Sequence, residues 1–187
     1  MMKMFPILVA CAALIGCAAT RTVAPAAPAA PERLVMSPYG FSLDLPGPSW
    51  SGEVNGPSPG RAALAAVLSN GETKALVLVG LNRTMTVPVS EVMTEIRAKS
   101  LADGMTAVAD VVTEDRGPLH LSSLAYRTIQ AGRSIAVRIV AVRHEALPDG
   151  HVVVLMGMWP SLHDRRMSAD IDSIAASLRP LGVSADR

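Results

Sequence analysis

The side chains in this sequence that could do chemistry are few. Cys11 and Cys17 carry the thiols, and His120, His144, His151 and His163 carry the imidazoles. A thiol can attack, form a thioether or ligate a metal, and an imidazole can move protons or ligate one. His144 and His151 flank Leu147-Pro148-Asp149-Gly150, with Glu145 and Asp149 beside them. They are the candidate metal ligands, but a metal centre needs several ligands converging at short range, and solvated turn residues are the plainer reading. Met156 and Met158 fall on one side of a strand, a spacing that soft metals use. In a chain that is 3% aromatic, methionine also serves as ordinary core filler. Ser161, His163 and Asp164 are three triad residue types within four positions. Triads assemble from separate segments, and helix capping accounts for Ser161 and Asp164. The chain has no Gly-x-Ser-x-Gly. Trp50 with the following segment 51–60, and Arg138 with Trp159, are candidates for partner contact, since Trp and Arg are enriched at interfaces. This reading names no catalytic residue, no metal site beyond the His144 and His151 candidates, and no cofactor.

Cys17 stands in a more specific setting. Residues 1–16, MMKMFPILVACAALIG, place Lys3 before an apolar run of 12 residues, Phe5 to Gly16. A membrane-spanning helix needs about 20, and this run is followed closely by Arg21, so it predicts a secretory signal. It ends in Leu14-Ile15-Gly16-Cys17, which resembles the lipobox of bacterial lipoproteins at every position. The resemblance implies cleavage between Gly16 and Cys17, a diacylglycerol thioether on Cys17 and acylation of the new amino group. Small Gly16 suits the approach of a peptidase, and attached acyl chains would anchor the protein in place of the lost helix. Cys11 would leave with the signal, so the mature domain would hold no free thiol. Ala18 stands where an Asp commonly marks inner-membrane retention in Gram-negative cells. The expected address is therefore the periplasmic face of the outer membrane. Residues 17–33 read as a tether, with Pro25, Pro28 and Pro31 favouring extended backbone. At about 3.1 Å per residue, the stretch 18–32 would reach roughly 45 Å.

The remaining elements are those of one domain over 34–180, with 181–187 as a flexible tail. Half of the 187 residues are apolar, enough for a core, and the formal charge of +1 gives no argument for nucleic acid. Tyr39, Phe41, Leu43 and Leu45 alternate as a strand. Residues 51–60 read as a loop. RAALAAVL (61–68) and 74–81 flank Asn70-Gly71 as a hairpin, which favours strand over the helix that its alanines suggest. Ser90 is placed as the cap of a helix carrying Val92, Met93, Ile96 and Leu101, ending at Gly104. Strands follow at 105–112, 119–130, 133–146 and 151–159. The last helix runs from Ser161, with Met167, Ile171, Ile174, Ala175 and Leu178 on one face. Around Ala131-Gly132, opposed residues sum to 263, which sets Ile139 against Leu124. Around the next turn a sum of 297 sets Met158 against Ile139, Leu155 against Val142, His144 against Val153, His151 against Ala146, and Arg138 opposite Trp159. Both faces of strand 133–146 are apolar. The predicted fold is therefore α+β: an antiparallel sheet of six to seven strands with a helix on each face.

This element order, with the opening YGFSLDLP strand, a Trp soon after and a last helix ending SLRP, resembles the PsbP-like family, which includes bacterial lipoproteins of the DcrB type. The resemblance implies an α/β/α sandwich whose members mostly bind partners or support assemblies, and it carries over no active-site residue. The functional expectation is a non-enzymatic, lipid-anchored envelope protein that binds an envelope partner. The alternatives are a metal-dependent or hydrolytic enzyme built on His144, His151 and nearby acids, and a lipid or small-ligand carrier with a cavity lined by residues such as Met156 and Val142.

Overall fold

The computed structural model describes residues 31–102 and 104–182. The expected signal segment, the expected lipobox with Gly16 and Cys17, most of the expected tether, and residues 183–187 of the expected tail lie outside the described residues. The first strand, β1 (Glu32–Met36), starts two residues before the expected domain boundary.

After β1 and a 3-10 turn (Ser37–Tyr39) come β2 (Phe41–Leu45), β3 (Trp50–Val54), β4 (Ala62–Asn70), β5 (Ala75–Asn82) and α1 (Val89–Ala102). Then follow β6 (Thr106–Ala107), β7 (Val112–Arg116), β8 (Leu119–Gln130), β9 (Arg133–His144) and β10 (Val152–Pro160). A second 3-10 turn (Ser161–His163), α2 (Asp164–Ala176) and β11 (Arg179–Pro180) complete the order. An eight-stranded antiparallel sheet runs β3-β4-β5-β10-β9-β8-β6, with β7 also paired to β8. A three-stranded sheet, β1-β2-β11, stands apart from it. The large sheet exceeds the expected six to seven strands for two reasons. Residues 50–54 pair with β4 instead of forming a loop, and Val112–Arg116 adds a short edge strand.

The two helices cover opposite faces of the large sheet. On one face, Met167, Ile171, Ile174 and Ala175 of α2 pack with Val140, Val142, Val153, Leu155 and Trp159. That layer is extended by Phe41, Leu43 and Leu45 of the small sheet, whose Asp44 N–H donates to Ser177 Oγ at 2.8 Å. On the other face, Val89 and Met93 of α1 pack with Leu124, Tyr126, Val137 and Ile139. Leu101, expected on the apolar stripe of α1, is exposed.

The β8–β9 hairpin follows the expected register, Leu124 opposite Ile139. Ala131 (φ 49°) and Gly132 (φ 73°) are both left-handed, as a tight two-residue turn of right-handed strands requires. The β9–β10 pairing differs from expectation by two residues. Met156, not Met158, lies opposite Ile139; Val153, not Leu155, opposite Val142; and Gly157, not Trp159, opposite Arg138. His144 therefore does not face Val153, nor His151 Ala146. The cause is the connection. Leu147 N–H bonds the His144 carbonyl and His151 N–H bonds the Pro148 carbonyl, so two successive turns replace one. A slip of two keeps every side chain on its own face, which is why the layers are as expected although the partners are not. The caps also differ. α1 begins at Val89 behind Pro88, so Ser90 lies within its first turn. Ser161 makes no cap bond; its hydroxyl meets Ser134 Oγ at 2.8 Å.

Candidate functional site

The antiparallel ladders place chemically active residues side by side although they are distant in sequence. On the α1 face, Asp115 of β7 lies opposite His120 of β8, which lies opposite Arg143 of β9. One step along, Thr113 lies opposite Ser122, and their hydroxyls are 3.1 Å apart. Pro88 with Val89 and Ser90 of the first turn of α1 closes one side. Together with Glu145 these residues line a cleft of about 520 Å³. His120 Nδ1 is 2.7 Å from Asp115 Oδ1 and its Nε2 is 3.7 Å from Glu145 Oε1. The Asp115 carboxylate thus orients the ring through Nδ1, while the 3.7 Å between Nε2 and Glu145 is longer than a hydrogen bond. The side chains of Asp115 and Glu145 are 73% and 66% exposed, so water screens both contacts. The nearby Ser122 is buried and bonded to Thr113, so it is not set up as a nucleophile. Among the described residues, no three His, Cys, Asp or Glu side chains converge as a metal-ligating set.

The expected site residues occupy other places. His144 lies on the α2 face opposite Leu119, and its Nδ1 accepts the Ala146 N–H at 3.0 Å. Burial pushes its pKa below the ordinary 6.5, and the adjacent Glu145 carboxylate works in the opposite direction. The His151 ring is 3.4 Å from the Asp149 carbonyl. Each imidazole thus contacts the backbone of its own turn, and no contact joins the two rings among the described residues. Trp50 is 3% exposed and its Nε1–H donates to Asp170 Oδ2 at 3.0 Å, which ties β3 to α2. Trp159 is 2% exposed. Neither indole is available to a partner on the surface. Arg138 grips Asp172 of α2 with two bonds of 2.8 and 2.9 Å and does not stack on Trp159. Among the described residues, the cation–π contact is Arg83 over Tyr39, 6.0 Å from the ring centre. Cys17 and Gly16 lie outside the described residues.

A second feature is apolar. α1 spans β8 and β9 and leaves the same face of β4, β5 and β10 open. Leu64, Leu78, Gly80, Val154, Met156 and Ile96 line a shallow trough of about 360 Å³ there. Met156 belongs to it, but Val142, expected to line the same cavity, is fully buried on the opposite face.

The Asp115–His120 pair was within reach of the sequence. Gly117-Pro118, with Gly117 at φ 59°, turns β7 into β8. Reading it as a turn sets Asp115 against His120.

No family model matches the chain, and no curated protein does. Solved structures match in shape. The solution structure of cyanobacterial PsbP (CyanoP) from Synechocystis sp. PCC 6803 superposes with a TM-score of 0.55 at 13% identity, over 84% of this chain and 96% of that one. The Ran-binding protein Mog1p of Saccharomyces cerevisiae gives 0.51 at 11% identity, over 81% and 95%. LpqN, described as involved in cell envelope biogenesis of Mycobacterium tuberculosis, gives 0.44 at 13% identity, over 71% and 86%. The chain thus has the α+β fold of CyanoP and Mog1p. At 11–13% identity the likeness is one of fold alone.

Proposed function

We propose that this chain is a lipid-anchored envelope protein that presents its α+β domain as a binding module and carries no catalytic centre. The observation that carries the reading is Leu14-Ile15-Gly16-Cys17 at the end of a 12-residue apolar run. The domain geometry is consistent with it. The first strand begins at Glu32, fifteen residues beyond Cys17, so cleavage and acylation there would leave every described strand intact. The open apolar strip on β4, β5 and β10 supports protein binding, since contiguous exposed apolar surface marks interaction sites. In a Gram-negative cell, Ala18 in place of a retention Asp favours the outer membrane for the anchor, with the domain in the periplasm.

The test is Cys17→Ala with palmitate labelling in the native host. The variant should accumulate as unprocessed precursor and take up no label. Processing and labelling as in the parent chain would refute the anchor. A photo-crosslinker at Leu78 in the anchored protein should then trap an envelope protein, while the same probe at exposed Glu53 should not.

A further inference from the structure

Ile129 and Leu162 are the most exposed large apolar side chains among the described residues, at 78% and 80%. They lie 33 positions apart in sequence but at the same end of the molecule. Ile129, next to the β8–β9 turn, is directly opposite Ser134. Ser134 Oγ is 2.8 Å from Ser161 Oγ, and Ser161 precedes Leu162 in the 3-10 turn. Arginines cluster at this end. Arg127 lies two residues before Ile129 on the same strand face, Arg165 and Arg166 open α2, and Arg133 stands next to the turn on the opposite strand face. Leu162, His163, Arg165, Arg166 and Ala169 line a groove of about 500 Å³. The acids at this end are Asp164, 3.4 Å from Arg127, and Glu72, 3.0 Å from Arg166. Arg133 and Arg165 have no carboxylate within ion-pair distance among the described residues. Four arginines against two acids leave this end cationic around two projecting aliphatic side chains.

We propose that this end of the domain docks on an anionic lipid bilayer. Ile129 and Leu162 enter the interface, and Arg133 and Arg165 pair with lipid phosphates. The combination of apolar wedge and guanidinium groups is what the boundary between headgroups and acyl chains favours, with each basic residue adding attraction to anionic lipid. The pattern distinguishes this end from the open strip on β4 and β5, which is apolar without such a ring. The anchoring reading supplies proximity, since a tether of roughly 45 Å keeps the domain beside a membrane. Docking would fix the orientation of the domain on the bilayer.

The test separates the two readings by removing the anchor. Residues 32–182 enclose both hydrophobic layers, so a chain starting at Ala18 retains the whole described fold. Sedimentation of that chain with phosphatidylglycerol-containing vesicles should show binding, and with phosphatidylcholine vesicles at least about tenfold weaker binding. Ile129→Ser with Leu162→Ser should weaken binding to the anionic vesicles about tenfold or more, because two aliphatic side chains are lost from the interface. Arg133→Gln with Arg165→Gln should weaken it by a similar factor and flatten its salt dependence. Both pairs are exposed, and thermal melts of the variants check that they remain folded. Equal binding to both vesicle types, no binding by the parent chain, or binding unchanged in either double variant would overturn the proposal. None of these outcomes depends on Cys17 acylation.

Discussion

Gly157 of β10 provides a quantitative test of how the α2 layer is packed. It lies opposite Arg138 on one side and Val77 on the other, with its missing side chain facing α2. A Cβ built there would stand 2.6 Å from Trp159 Cζ3 and 3.1 Å from Ile171 Cδ1. The first distance is well inside contact, and it involves a rigid indole that is 2% exposed. Gly157 is not in the left-handed region, so backbone strain does not enter. Two effects oppose each other in Gly157→Ala. Reduced freedom of the unfolded chain stabilises by about 0.4–1 kcal/mol, and overpacking a closed core destabilises by about 1–3 kcal/mol. The clash should win, for a net loss of about 1–2 kcal/mol. For a domain of this size that corresponds to a fall in Tm of roughly 2–8 °C. Urea unfolding of the chain from Ala18 should show a lower midpoint with an unchanged slope. Trp159→Phe removes the offending ring atom and loses no hydrogen bond, because Trp159 Nε1 has no partner. In that background Gly157→Ala should cost about 1 kcal/mol less, a coupling expected of residues in contact. A neutral or stabilising Gly157→Ala, or strict additivity with Trp159→Phe, would show that this layer has more room than its geometry indicates.

Two further measurements address residues singled out by sequence. Trp50→Phe keeps the apolar ring but leaves Asp170 without its 3.0 Å donor, and should cost about 1 kcal/mol in the same unfolding assay; no loss would mean that the bond between β3 and α2 is idle. His144 should introduce a pH dependence of definite sign. Its pKa is lowered in the fold, so below the ordinary 6.5 the unfolded chain takes up a proton that the folded chain resists. Stability is therefore unaffected by this group above that value, and falls as pH drops through it towards the lowered folded value. His144→Gln should remove that part of the slope of urea midpoint against pH; an unchanged slope would assign it to another group.

What could be read from the sequence was set by local chemistry. The Ala131-Gly132 turn pins β8 to β9 because both residues adopt positive φ, and every opposed pair follows from it. The α2 stripe is read from Met167, Ile171, Ile174 and Ala175, and all four are buried. RAALAAVL is a strand despite its alanines, because pairing with β3 and β5 on either side outweighs helix propensity. Where the chemistry is not local, the reading failed. Pro148-Asp149-Gly150 signals a turn, but not that a second turn from His144 to Leu147 precedes it, and that extra turn moves the register by two. Trp50 reads as a surface residue beside a glycine-rich segment until Asp170, 120 positions away, turns out to hold its indole.

The site was less legible than the fold for a related reason. In this chain both faces of the large sheet are apolar, so composition cannot indicate which part is left open. Exposure depends on where the helices cross. α2 buries four side chains and, with the small sheet, closes its face; α1 buries Val89 and Met93, packs mainly on β8 and β9, and leaves β4 and β5 uncovered. Leu78 and Met156 are the same residue types as Leu68 and Met167 and follow the same strand or helix periodicity, yet the first pair lines an open trough and the second is sealed in the core. The same holds for Ile129, at the end of a strand whose other large aliphatic side chains are buried. It becomes conspicuous only once the 3-10 turn has brought Leu162 and the arginines of α2 alongside it. Surface function in such a fold is decided by the path of two helices, which is tertiary information, whereas the resemblance of Leu14-Ile15-Gly16-Cys17 to a lipobox needs only four adjacent residues to be seen.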